Sequence, residues 1–136
     1  MGLYAERGYD LAEAKNAMSL EIEAWYGGAT LDVFDCAVLG GVMHRYECNE
    51  AAQLRMISGK VSNQQITLMC GVVPADPETD PVWGWKAHTA TECGKVHTDY
   101  TKFVADAATN YIALKSQLNA CTTVLQVDAM FAALMG

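Results

Sequence analysis

Three observations predict an α+β fold, with a small antiparallel sheet (a hairpin plus a third strand) packed against three to four helices. Tyr100, Val104, Ala107, Tyr111, Leu114 and Leu118 recur every three or four residues, which places them on one helix face with Phe103 beside it. Residues 82–92 instead alternate with the period of a strand. Gly40-Gly41 separates two β-rich runs, and a two-residue turn with positive φ at both positions favours glycine.

The 136 residues fit one domain, 1–136, and 51% hydrophobic residues suffice for a core. Only 18% are charged, which is low and points to apolar surface covered by another chain. The net charge is -7, and the nine basic residues are scattered, so the chain is expected not to bind nucleic acid. No apolar run approaches the ~20 residues of a membrane span. The first ten residues carry Glu6, Arg7 and Asp10, and no secretory signal is expected.

Cys36, Cys48, Cys70, Cys93 and Cys121 form no C-x-x-C pair, which speaks against zinc. They read as free thiols serving as small buried hydrophobes, with an intermolecular disulfide as the alternative. No cofactor or metal is expected.

Taken in order, Asp10 opens a helix, and Asp10 to Glu13 has the spacing of a capping box. Leu11, Ala14, Met18, Ile22 and Trp25 form its apolar stripe, and Gly27 and Gly28 end it. Leu20 lies on the opposite face, a mismatch or a partner contact. Residues 30–39 and 42–48 read as the hairpin strands, with Leu39 opposite Val42 and Cys36 opposite Arg45. Asp32, Phe34, Cys36 and Val38 make the better core face.

Asn49 is expected to cap a second helix, whose stripe would run through Leu54, Ile57, Val61 and Leu68. The alternative reading makes residues 66–73 a strand. Pro74, Pro77 and Pro81 mark an extended loop. Asp76, Glu78 and Asp80 alternate along it, but the glycine and closing Glu of an EF-hand loop are missing, so a solvated acidic loop is the reading.

In the third strand, Trp83, Trp85, Ala87 and Thr89 fall on one side and Val82, Gly84, Lys86 and His88 on the other. The indoles are expected to cover the helices, with carbohydrate stacking as the sharper alternative. A helix over 99–118 follows, capped by Asp99, with Lys102, Asp106, Thr109, Ser116 and Gln117 facing water. Thr122 or Thr123 caps a last helix with Val127, Met130, Phe131 and Leu134 on its apolar face, and the Thr123 to Gln126 interval again fits a capping box.

Catalytic chemistry is not expected. His44, His88 and His97 lack metal-ligand spacing, with His44 read as a half-exposed strand position. Cys93 with His97 is the one nucleophile–base pairing on offer, for a small hydrolase. It lacks a visible orienting group or oxyanion site. No phosphate-binding or nucleophile-elbow motif is present.

The order of features over about residues 11–130 resembles an uncharacterised domain of tail-fibre and tail-fibre-assembly proteins of tailed bacteriophages. An amphipathic opening helix leads to the hairpin Leu39-Gly40-Gly41-Val42-Met43-His44-Arg45-Tyr46-Glu47-Cys48-Asn49. A small-residue helix with Ile57-Ser58-Gly59 follows, then Trp85-Lys86-Ala87 in the place of a W-[KR]-[TA] stretch. Leu114-Lys115-Ser116-Gln117-Leu118-Asn119-Ala120 and Thr122-Thr123-Val124 close the pattern. The chain departs from it at Thr89-Ala90-Thr91-Glu92, where the family often has Asp-Asn, and in the 76–81 loop.

The resemblance implies a structural or accessory protein of a phage tail (fibre, baseplate or tip), or a dissociable assembly chaperone. It would be made in the host cytoplasm, act by protein–protein contact in a homo- or hetero-oligomer, and carry no assigned active residues. Leu20, Met130, Phe131, Leu134 and Met135 are the residues expected to meet the partner.

Overall fold

Reciprocal side-chain caps set where several helices begin. Asp10 and Glu13 close the expected capping box, Asp10 Oδ1 accepting the Glu13 N–H at 2.8 Å and Glu13 Oε1 accepting the Asp10 N–H at 3.2 Å. Thr123 and Gln126 do the same farther on, at 3.2 and 3.3 Å. Asn49 Oδ1 accepts the Ala52 N–H at 2.8 Å. Each such cap is worth about 1 kcal/mol.

The computed structural model describes residues 2–27 and 31–135. In order, the elements are α1 (Leu3–Glu6), α2 (Leu11–Gly27), β1 (Val33–Cys36), β2 (His44–Glu47), α3 (Glu50–Ser62), β3 (Ile66–Val72), β4 (Gly84–His88), α4 (Ala90–Ala120) and α5 (Val124–Met135). The expected α+β class holds, with a four-stranded antiparallel sheet in the order β1-β2-β3-β4. Gly28 and Thr30, assigned above to a helix end and a strand start, lie outside the described residues.

The chain divides into two compact units, residues 31–106 and residues 2–27 with 107–135. In the second, Ala14, Met18 and Ile22 of α2, Leu118 of α4, and Val127 and Met130 of α5 are buried with Tyr4 and Cys121. Asp128 is buried in α5, where Oδ1 accepts the Tyr4 N–H at 2.6 Å and Oδ2 the Ala5 N–H at 3.2 Å. A carboxylate distant in sequence therefore caps α1, whose own N-cap residue is glycine and offers no side chain.

In the first unit, Phe34, Cys36, Tyr46, Leu68 and Cys70 from the sheet meet Met56 of α3 and Cys93, Val96 and Tyr100 of α4. The core face expected for β1 is the observed one.

Several elements differ from expectation. The long helix starts at Ala90, well before Asp99. Its cap is Thr89, whose Oγ1 accepts the Glu92 N–H at 3.2 Å while Glu92 Oε1 accepts the Thr89 N–H at 2.8 Å. Residues 66–72 take the alternative assignment and form β3, so Leu68 packs from a strand.

The hairpin register is shifted by one. Gly40 and Gly41 do make the turn, with φ of 59° and 71°, and Val42 N–H donates to the Leu39 carbonyl at 3.0 Å. Yet Cys36 pairs with His44 and Asp35 with Arg45. An extra residue is taken up on the β1 side between turn and ladder, as in a β-bulge. The observed register gains an Arg45–Asp35 ion pair at 2.8 Å and sets Phe34 beside Tyr46, with tilted rings whose centroids are 5.9 Å apart.

The alternation of β4 is as expected, but the faces are exchanged. His88 is fully buried, while Trp85 is 59% and Trp83 40% exposed. The outward Trp85 ring lies 5.0 Å from the Arg55 guanidinium carbon.

Candidate protein-docking surface

Helix α3 carries the most informative disagreement with the sequence. Leu54, Ile57 and Val61 have the i, i+3, i+7 spacing of an apolar stripe, a pattern that usually faces the core. In the structure they are 60%, 39% and 77% exposed. The helix is buried through Met56 and Gly59, on its other side. Gly59 explains the choice. A Cβ there would sit 2.6 Å from both Cys93 Sγ and Ile66 Cγ2, so the missing side chain lets α3 approach α4 and β3 closely. Helical periodicity marks an apolar face; it does not say whether this chain or another covers it.

The residues expected to meet a partner are divided by the fold. Leu20 is 72% and Met135 53% exposed, so both remain available. Met130 is only 4% exposed and belongs to the core. Phe131 packs edge-on against Tyr4, with ring centroids 5.6 Å apart, and Leu134 packs on the same cluster. The apolar face of α5 is therefore largely spent inside the chain: Met130 is buried there, and Phe131 and Leu134 are half-buried against the same cluster. The alternation of the indoles and the spacing of the α3 stripe fit core elements as well as surface ones, so pattern alone does not assign them.

The polar groups of the sheet form a buried chain across strands. Tyr46 O–H donates to His88 Nε2 at 2.7 Å, and His88 Nδ1–H donates to the Lys86 carbonyl at 2.8 Å. Lys86 Nζ donates to His44 Nε2 at 3.3 Å, and His44 Nδ1–H donates to the Val42 carbonyl at 2.8 Å. These bonds assign the Nδ1–H tautomer to both imidazoles. His44 is 5% exposed, contrary to the half-exposed position expected of it. Burial pushes the pKa of His88 down and that of the Tyr46 hydroxyl far up, so the pair is a neutral hydrogen bond. With His88 and Tyr46 fully buried, their hydrogen bond ties β2 to β4 inside the sheet.

Cys93 is also fully buried, in contact with the α3 side, and burial raises its thiol pKa. His97 lies within α4, where its carbonyl accepts Thr101 Oγ1–H at 2.8 Å. This Cys93 environment is the opposite of an activated nucleophile's, which is partly exposed and electropositive. All five cysteines are free and buried. Burial pushes the Cys36 and Cys48 thiols up to about 12. Among the described residues, no three His, Cys, Asp or Glu side chains are placed to hold a metal. None of the described helices is long and apolar enough to cross a membrane.

A cavity of about 170 Å³ is lined by Glu47, Asn49, Arg55, Leu68, Met69 and Trp85, among others. Its polar groups are already engaged. Asn49 Nδ2 donates to Glu47 Oε1 at 2.6 Å, and Arg55 donates to the Thr67 carbonyl and hydroxyl at 2.9–3.1 Å. Arg55 and Trp85 thus brace α3 against the sheet edge.

No family model, curated protein or solved structure matches this chain.

Proposed function

We propose that this chain is a protein-binding module whose α3 stripe docks on a partner protein. Its setting is the tail of a bacteriophage, as a structural or accessory component of fibre, baseplate or tip, which is the role implied by the sequence resemblance. The observation that carries the docking reading is the aligned exposure of Leu54, Ile57 and Val61 on a helix already anchored by its other face. Covering these three side chains is worth roughly 3 kcal/mol, before the costs of association. An apolar stripe at this spacing is what a helix-in-groove contact reads. The low charged fraction, 18%, supports the same reading. The buried state of Cys93 and the inward use of His88 and Tyr46 support a non-catalytic role.

The test is capture of the purified chain by separately purified tail proteins, compared with a Leu54→Lys/Val61→Lys variant. Both positions are exposed, so the variant is expected to fold. Loss of capture by the variant supports the proposal; equal capture of both proteins, or capture of neither, overturns it. Quantitative mass spectrometry of purified virions then separates a resident component, present in stoichiometric amount, from an assembly chaperone that leaves.

A further inference from the structure

We propose that the hairpin end of the sheet is a second docking surface, fitted to a protein segment that combines apolar anchors with Lys or Arg. It is independent of the α3 stripe. Val42, Met43, Val72, Val82 and Trp83 are all exposed, at 47%, 46%, 47%, 89% and 40%. Strand register brings their backbones to one end of the sheet, with Val72 on the face of His44 and Gly71 on the opposite face with Arg45. Val72 pairs with His44, and Val73 N–H donates to the Met43 carbonyl at 3.0 Å, which holds the hairpin beside the end of β3. Gly71 pairs with Arg45, and a Cβ at Gly71 would lie 2.5 Å from the Val82 carbonyl and 3.0 Å from Pro81 Cβ. The segment that carries Val82 and Trp83 therefore lies directly on the glycine.

Charge selects the occupant. The loop leading into Val82 carries Asp76, Glu78 and Asp80, all exposed, and no Lys or Arg occurs between residues 61 and 85. Asp76 Oδ1 accepts the Glu78 N–H at 3.0 Å, which orders the loop without neutralising it. Two cations lie near: Arg45 is held by both Asp35 oxygens at 2.8 and 3.1 Å, with Asp80 adding to the field that raises its pKa, and Lys86 Nζ donates at 3.3 Å to Nε2 of His44, the ladder partner of Val72. This end of the sheet thus joins exposed apolar side chains to an acidic loop, two features that protein interfaces combine. A second copy of this chain, itself at -7, would bring the same acidic rim against its own image. A nucleic acid would bring the same sign of charge. A basic segment meets both features.

The experiment uses the full chain and two fluorescein-labelled peptides of equal length, one alternating Lys with Leu and Trp, the other Glu with Leu and Trp. Fluorescence anisotropy is expected to show binding of the Lys peptide alone, weakened about tenfold between ~50 and ~500 mM NaCl. Asp76→Asn/Glu78→Gln/Asp80→Asn should weaken it about fivefold. Val82→Asp should abolish it although the added charge has the favourable sign, so that loss reports the apolar contact. Leu54→Lys/Val61→Lys should retain it, because this surface does not depend on α3. Equal binding of both peptides, binding unchanged by the triple variant or by Val82→Asp, or no binding overturns the inference and leaves the α3 proposal standing. So does a dimer that Val82→Asp dissolves, which would make the occupant a second copy.

Discussion

The hydroxyl of Tyr46 donates a 2.7 Å hydrogen bond to Nε2 of His88, joining two fully buried side chains from β2 and β4 across the intervening β3. With Nδ1–H committed to the Lys86 carbonyl, the hydroxyl donates to Nε2 only while the imidazole is neutral; protonation makes Nε2 the donor and reverses the bond. Burial lowers the His88 pKa below 6.5, outweighing the Lys86 carbonyl and Glu92, which act in the other direction. A depressed folded-state pKa stabilises the fold above the unfolded pKa, and that contribution is lost as pH falls from 6.5 toward the folded value. Urea unfolding followed by tryptophan fluorescence should show stability falling in this window by at most about 1.4 kcal/mol per pH unit. His88→Gln should flatten the slope there. An unchanged slope would contradict the assignment.

Gly59 lets α3 dock through its small side. Ala at this position gains about 1 kcal/mol of helix propensity but puts a Cβ 2.6 Å from Cys93 Sγ, an overpacking that costs about 1–3 kcal/mol. Gly59→Ala should therefore lower stability by roughly 1 kcal/mol net. The Gly59→Ala/Cys93→Ala double variant should recover part of the loss in a thermodynamic cycle.

The Asp128 carboxylate holds α1 through the Tyr4 and Ala5 N–H groups. Asp128→Ala should free both donors at a cost of about 1.5–3 kcal/mol, the scale of a hydrogen bond to a charged group. Amide exchange at Tyr4 and Ala5 should accelerate, with Asp128→Asn in between. Unchanged exchange in Asp128→Ala would show that α1 is held by the packing of Tyr4 alone.

All five thiols are buried, and those of Cys36 and Cys48 are pushed up to about 12. Iodoacetamide at mildly alkaline pH should leave the native chain unlabelled and modify all five in denaturant, read by intact mass. Rapid single labelling at Cys93 in the native chain would revive it as a nucleophile.

Much of this fold is legible locally. The Asp10–Glu13 and Thr123–Gln126 boxes, the Asn49 cap and the Gly40-Gly41 turn depend on neighbours in sequence and were read correctly. Thr89–Glu92 is the same kind of signal, but the alternation of residues 82–92 masks it by extending the strand pattern over the cap. Choices of face were less legible. Whether Trp85 or His88 turns inward depends on Tyr46 waiting across the sheet, and whether Leu54 or Met56 turns inward depends on the space Gly59 leaves beside Cys93. Asp128 reads as an ordinary helix residue until Tyr4 is brought to it. The candidate docking surface was missed for the same reason: periodicity reports amphipathicity alone.

Under the proposed docking, the decisive measurement is hydroxyl-radical footprinting with mass-spectrometric readout, of the chain alone and mixed with separately purified candidate tail proteins. The account predicts that oxidation of Leu54, Ile57 and Val61 falls sharply on binding while that of Leu20 and Met135 stays unchanged. Unaltered oxidation along α3, with protection appearing at Leu20 and Met135 instead, would contradict it.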